Sequence, residues 1–172
     1  MGILGARGNN AIGIAGTSWA TRLMVFRIQE ISDIIAAYDY VLEQRRLWQS
    51  SGGQAGALVV ATNASFGLEG RFCREFPVWG NMYEALGQAG VLSVASAANR
   101  AWNVDDFGDM PTTCTSEFLL GVANSDENDL LFRSSAWGPV SIDLAAPGQG
   151  SYTTRTNGTY GGSVTLAQPL PT

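Results

Sequence analysis

The stretch VLSVASAANRAW, Val91 to Trp102, begins apolar and β-branched and runs through small residues to an uncharged amide, Asn99. A carboxamide at a strand end either closes a turn or holds an N–H donor toward negative charge that develops in a transition state. The choice depends on what other chemistry the chain carries. It holds no histidine, so the commonest general base and the commonest metal ligand are both missing from this stretch. Cys73 and Cys114 are too few for a four-ligand zinc site. They pair in an exported protein or stay free in a cytosolic one. Asp105, Asp106 and Asp109 cluster in a Gly/Pro loop, where a solvated run is expected rather than the paired carboxylates of glycoside chemistry. GILGARG has the G-x-x-G-x-x-G spacing of a phosphate loop. Such a loop needs a strand before it and a helix after it, and the AIGIAG that follows reads as β.

The bulk numbers narrow the field. A length of 172 residues suits one domain, and 45% hydrophobic residues with 21 glycines suit a tightly turned α/β core. A net charge of −5 without a basic cluster argues against nucleic acid. No apolar run is long enough to cross a bilayer. The opening MGILGARGNN lacks the features of a signal peptide, and Ala6 breaks the myristoylation pattern.

The elements that must position Asn99 follow from periodicity. RLMVFRI (Arg22 to Ile28) reads as a buried strand. A helix follows, with Ser32 as its N-cap and Ile34, Ile35, Tyr38, Val41 and Leu42 on one face. ALVVATN (Ala57 to Asn63) reads as a second strand. Trp79, Met82, Tyr83 and Leu86 mark a second helix that ends at Gly90, and VLSVAS reads as a third strand. FLLGVAN, SIDLAA and SYTT are shorter strand candidates. Strand–helix alternation predicts a parallel sheet whose working residues lie beyond the strands' carboxyl ends. That draws attention to RIQEIS, TNASFG and SAANRA.

Four segments, in order, resemble the subtilisin-like serine peptidases. GILGARGNNAIGIAGTSWATRLM is similar to the helix and loop after that family's catalytic His, with Gly2 as the last Gly of its motif. TNASFG resembles the N-x-S-x-G strand end, ASAAN the A-A-G-N segment, and FRSSAWGPVSIDLAAPG the F-S-S-x-G-P…A-P-G stretch. The resemblance implies a three-layer subtilisin-like α/β fold with a mainly parallel sheet flanked by helices. It also implies that residues 1–172 form a partial peptidase domain, incomplete at both ends. Asn99 becomes the oxyanion donor; Ala98 stands where the family has Gly, an added methyl beside the hole. Ser65, Phe66 and Gly67 become the strand that pairs with an extended substrate, with Gln29 and Glu30 on the opposite rail. Asn10, with the carbonyls of Ile12 and Ile14, resembles part of a calcium loop, calcium being a possible structural ion with no other cofactor required.

SVTLAQP lines up with the family's G-T-S-x-A-x-P and places Thr165 at the nucleophile; a chance match is the alternative. The catalytic Asp and His are expected before Met1. The reaction implied is peptide-bond hydrolysis through an acyl-enzyme, on a peptide or protein substrate, in a secreted protein. A hydroxyl without a base is a poor nucleophile, so the stretch alone is expected to be inactive. The alternatives are a non-catalytic peptide-binding homologue and a phosphate- or nucleotide-binding module.

Overall fold

The computed structural model describes residues 2–163 and 168–169. After a one-turn helix α1 (Gly2–Gly5), the chain runs without regular structure into the long helix α2 (Ile31–Ser50). There follow β1 (Ala61–Ala64), β2 (Phe66–Glu69), α3 (Pro77–Gln88), β3 (Leu92–Ser96), the short α4 (Val104–Phe107), β4 (Asp109–Met110) and β5 (Leu119–Ser125). The last described strands are β6 (Leu144–Pro147), β7 (Ser151–Thr154), β8 (Tyr160–Ser163) and β9 (Gln168–Pro169). Four strands make one parallel sheet in the order β1-β3-β5-β6. A smaller sheet, β4-β2-β9, lies beyond the end of β1, and β7 and β8 form a hairpin. A parallel sheet flanked by helices is the expected α/β class.

The cap of helix α2 lies two residues before the expected one. Asp33 Oδ2 accepts the backbone N–H groups of Gln29 (2.8 Å) and Glu30 (3.1 Å), so Glu30 takes the cap position and Ser32 falls inside the helix. An acid three residues in satisfies donors that the helix cannot. Its apolar stripe behaves as the spacing requires: Ile34, Tyr38, Val41 and Leu42 are buried and Ile35 is half-buried. Helix α3 opens on Pro77, where a missing N–H costs nothing. Its Trp79, Tyr83 and Leu86 meet α2, Val91, Ala95 and Leu119 in the main core. Gly90, at φ +79°, turns the chain from α3 into β3.

Two strand expectations need correction. Arg22 to Ile28 forms no strand, and Leu23, Met24, Val25 and Phe26 are exposed. Only Ala61–Ala64 of the Ala57–Asn63 run is a strand, while Leu58 and Val60 are exposed. Apolar runs mark strands because they are buried, and burial needs a ladder or a layer beside them. Among the described residues Arg22 to Ile28 has no ladder and touches the core only through Ile28, and the ladder of the second run begins at Ala61.

Inside the core the polar tips of the aromatics are paired. Trp79 Nε1–H donates to the Tyr83 hydroxyl at 2.8 Å, and the Tyr38 and Tyr83 hydroxyls lie 3.4 Å apart. Burial raises both phenols above their ordinary pKa, so they remain neutral donors and acceptors. Tyr83→Phe leaves the Trp79 N–H without its acceptor. It should lower the unfolding free energy by about 1–3 kcal/mol, read from the urea midpoint. A cost below about 0.5 kcal/mol would mean that water replaces the hydroxyl.

Cys73 and Cys114 form a disulfide, with Cα atoms 4.9 Å apart. This decides between the two states left open by the sequence. It ties the short turn before α3 to the turn that follows β4.

Candidate functional site

Parallel pairing brings the informative loops together. Ala64 of β1 lies opposite Ala95 of β3, so Ser65–Phe66–Gly67 and Ala97–Ala98–Asn99 leave the carboxyl ends of neighbouring strands. The ladder between β2 and β4 extends the contact by setting Leu68 opposite Met110 and Glu69 opposite Asp109. The Arg100 guanidinium then donates to Glu69 at 2.8 Å. The turn bearing Asn99 is thus fastened to the strand that begins at Phe66.

Asn99 is half-buried, just past the end of β3. Its predecessor is clamped on both sides. The Ala98 N–H donates to Asp109 Oδ2 at 2.9 Å, and the Ala98 carbonyl accepts from the Ala136 N–H at 2.9 Å. The Ala98 methyl packs in a small cluster with Ala97, Val104 and Ala136. Ala98 has no positive φ, and its methyl is buried in that cluster, with Trp102 and Ile142 packed against it.

Gly67 is buried, and a Cβ there would strike the Met110 carbonyl oxygen. The position needs glycine because a second backbone passes against it. Phe66 is half-buried, its ring 6.3 Å from that of Trp79, so it is shared between core and surface. The Ser65 hydroxyl accepts from Asn63 Nδ2 at 3.1 Å and is exposed. The backbone edge at Phe66 and Gly67 is not free. It pairs in parallel with Gln168 and Pro169. Thr165 falls outside the described residues.

Gln29 and Glu30 are committed to the start of α2 through Asp33. At Asn10 the side-chain oxygen accepts the Ile12 N–H at 3.1 Å, which is an Asx turn. Asn10 and Ile12 are exposed and Ile14 is half-buried. Calcium takes six to eight oxygens, several of them from carboxylates as a rule. This loop brings no carboxylate of its own, and no group of three acidic, His or Cys residues that could hold a metal occurs among the described residues. The residues described do not fit a calcium site by themselves.

The acidic cluster divides in a way that its composition does not reveal. Asp105 accepts the backbone N–H groups of Val140 and Ser141, and Asp106 is exposed and bonded to Asn103. Asp109 is only 2% exposed, in contrast to the solvated run expected for it. Its Oδ2 also accepts the Thr112 hydroxyl at 2.8 Å, and the Met110–Pro111 bond beside it is cis. A Thr three residues after the acid, across a proline, was the available signal of a turn built around that carboxylate.

Comparison with known families decides what the constellation belongs to: the sequence model of the subtilase family matches residues 1–169. The chain belongs to the subtilase family. Among solved structures this subtilase is similar to a protease from Pseudoalteromonas arctica, with a TM-score of 0.76 at 24% identity over 96% of this chain and 52% of that one. It is also similar to a psychrophilic protease, with a TM-score of 0.70 at 18% identity over 96% and 57%. A third likeness is to the epidermin leader peptide processing serine protease of Staphylococcus aureus, with a TM-score of 0.66 at 15% identity over 96% and 48%. The chain spans about half the length of these proteins. Comparison with curated proteins gave no match.

In this subtilase, burial pushes the Asp109 carboxyl up to about 6 from 3.8; the Thr112 and Ala98 hydrogen bonds oppose the shift and the Glu69 charge adds to it. A raised folded-state pKa means that the folded protein binds the proton more tightly than the unfolded chain does. The resulting stabilisation is complete below about 3.8 and is lost as pH rises through about 6. The difference in unfolding free energy between the parent and Asp109→Asn should therefore fall by roughly 3 kcal/mol across that window. Chemical denaturation at several pH values measures it, and a flat difference would refute the buried-acid assignment.

Proposed function

We propose that this stretch is the peptide-binding and oxyanion-stabilising portion of a subtilisin-like serine endopeptidase, and that by itself it hydrolyses no peptide. The observation that supports the reading most is the pinned turn Ala97–Arg100, placed beside Ser65–Phe66–Gly67 at the carboxyl ends of adjacent parallel strands. A clamped backbone lets Asn99 offer an N–H to charge on a peptide carbonyl without reorganising as that charge appears. The β2 edge is suited to strand addition, since it already accepts an extended segment from residues 168 and 169. A half-buried Phe66 favours apolar residues near the cleaved bond.

The stretch has no imidazole to activate a hydroxyl, so any turnover without further residues falls to what binding and an oxyanion donor supply. Thr165 is kept as a degenerate nucleophile position, tested by Thr165→Ala. Calcium at Asn10, Ile12 and Ile14 would need oxygens from elsewhere. The disulfide supports export from the cell. No helix among the described residues is long and apolar enough to cross a membrane.

The test compares the stretch alone with the stretch expressed with its flanking coding sequence, using a chromogenic peptide amide. Turnover that appears only with flanks supplying Asp, His and Ser supports the reading. Enzyme-like turnover by the stretch alone would overturn its inactivity, and none from a form holding all three groups would overturn the peptidase reading. In the latter case saturable binding of an apolar peptide, strengthened by deleting residues 164–172, would favour the non-catalytic peptide-binding homologue. The phosphate-loop alternative loses support: α1 is a single turn within the glycine run, and no helix opens after that run before Ile31.

A further inference from the structure

Several contacts fasten the turn that carries Asn99, and one differs in kind. The Ala98 carbonyl takes a backbone N–H from Ala136, and Arg100 makes an exposed ion pair with Glu69. The acceptor on the Ala98 N–H is instead a buried carboxylate. Asp109 is also the hub of its own turn. Its backbone carbonyl accepts the Thr113 N–H (2.9 Å) and the hydroxyls of Thr112 (3.1 Å) and Thr113 (3.0 Å), while Oδ2 serves both Ala98 and Thr112. Because peptide groups are planar, fixing the N–H of Ala98 orients the plane before its Cα. Fixing its carbonyl orients the plane after. The two together set the backbone torsions of Ala98, and so the direction in which the chain delivers Asn99.

We propose that Asp109 is a positioning residue for Asn99, its buried carboxylate holding the Ala98 peptide and thereby aligning the amide of the next residue for the oxyanion. This rests on the reading of Asn99 as the oxyanion donor. A hydrogen bond to an ionised acceptor is shorter and about twice as strong as one to a neutral acceptor. Protonating Asp109 therefore loosens the Ala98 clamp and lets the Asn99 turn relax. The charged groups that surround the acid are few. Glu69 faces it across the β2–β4 ladder and is itself held by Arg100. Arg71 is paired with Glu75, and Asp106 with Asn103. Glu69 opposes ionisation and the two donors favour it, with burial outweighing both and bringing the midpoint to about 6.

The test is a ¹⁵N NMR titration of the 172-residue chain, with no peptide present. The expected result is that the Ala98 backbone amide and the Asn99 side-chain amide shift together, with one midpoint near pH 6. Asp109→Asn, which keeps an acceptor oxygen, should abolish both titrations. Glu69→Gln should keep them and move their common midpoint down. Movement of Ala98 with a stationary Asn99 amide would overturn the proposal, leaving Asp109 as a local turn acid. So would a flat Ala98 resonance, or unchanged titrations in Asp109→Asn. If that variant does not fold, the parent titration and Glu69→Gln decide the matter. Peptide hydrolysis plays no part in this readout, so its failure is separate from failure of the peptidase reading, which the form expressed with its flanks tests.

Discussion

Reduction of the Cys73–Cys114 bond should remove about 4 kcal/mol from the unfolding free energy. The cysteines are 41 residues apart. Chain-entropy arguments give a closed loop of that size roughly 4 kcal/mol of stabilisation, largely by restricting the unfolded chain. The bond has a second role, because Cys114 directly follows the turn around Asp109, and the Cys73 N–H donates to the Thr113 hydroxyl at 3.1 Å. Reduction therefore releases the support of the Asn99 turn as well as a length of loop. Guanidinium denaturation with and without reductant measures the effect, and the Cys73→Ser/Cys114→Ser double variant checks it without added thiol. A loss under about 1 kcal/mol would mean that the reduced, unfolded chain keeps much of the same structure.

The next largest effect belongs to Asn99. In the flanked, active form, Asn99→Ala should lower kcat by about 10²–10³ while leaving KM nearly unchanged. The magnitude is carried over from removal of one oxyanion-hole donor in subtilisin, a member of the same family. The split between kcat and KM follows from where the charge is. A ground-state carbonyl gains little from the amide, whereas the tetrahedral oxyanion gains a great deal. Equal losses in binding and turnover would show instead that Asn99 shapes the groove. An unchanged kcat would remove it from the site. Asn99→Asp gives a control of similar shape that replaces the donor with a charge of the wrong sign, and it should be at least as damaging.

These expectations differ in how they could be known. Helices α2 and α3 were legible because their stripes carry Ile34, Tyr38, Val41, Leu42, Trp79, Tyr83 and Leu86 at helical spacing, and those side chains are buried. Strand β3 and the ordered motifs around Asn99 were legible for the same reason, since local pattern and global fold agree there. Arg22 to Ile28 misled because a strand is a property of a pair. Leu23, Met24, Val25 and Phe26 are exposed among the described neighbours, and nothing within seven residues of sequence can reveal whether a partner lies alongside.

Residue types and their spacing along the chain were enough for the family and the α/β class. Packing in three dimensions was needed to establish that Cys73 meets Cys114, that Asp109 is buried while Asp106 is not, and that Gln168 and Pro169 lie against Phe66 and Gly67. Each of these depends on which distant segments exclude water from one another. A carboxylate's charge, a thiol's partner and a strand's free edge are set by that exclusion rather than by their neighbours in the chain.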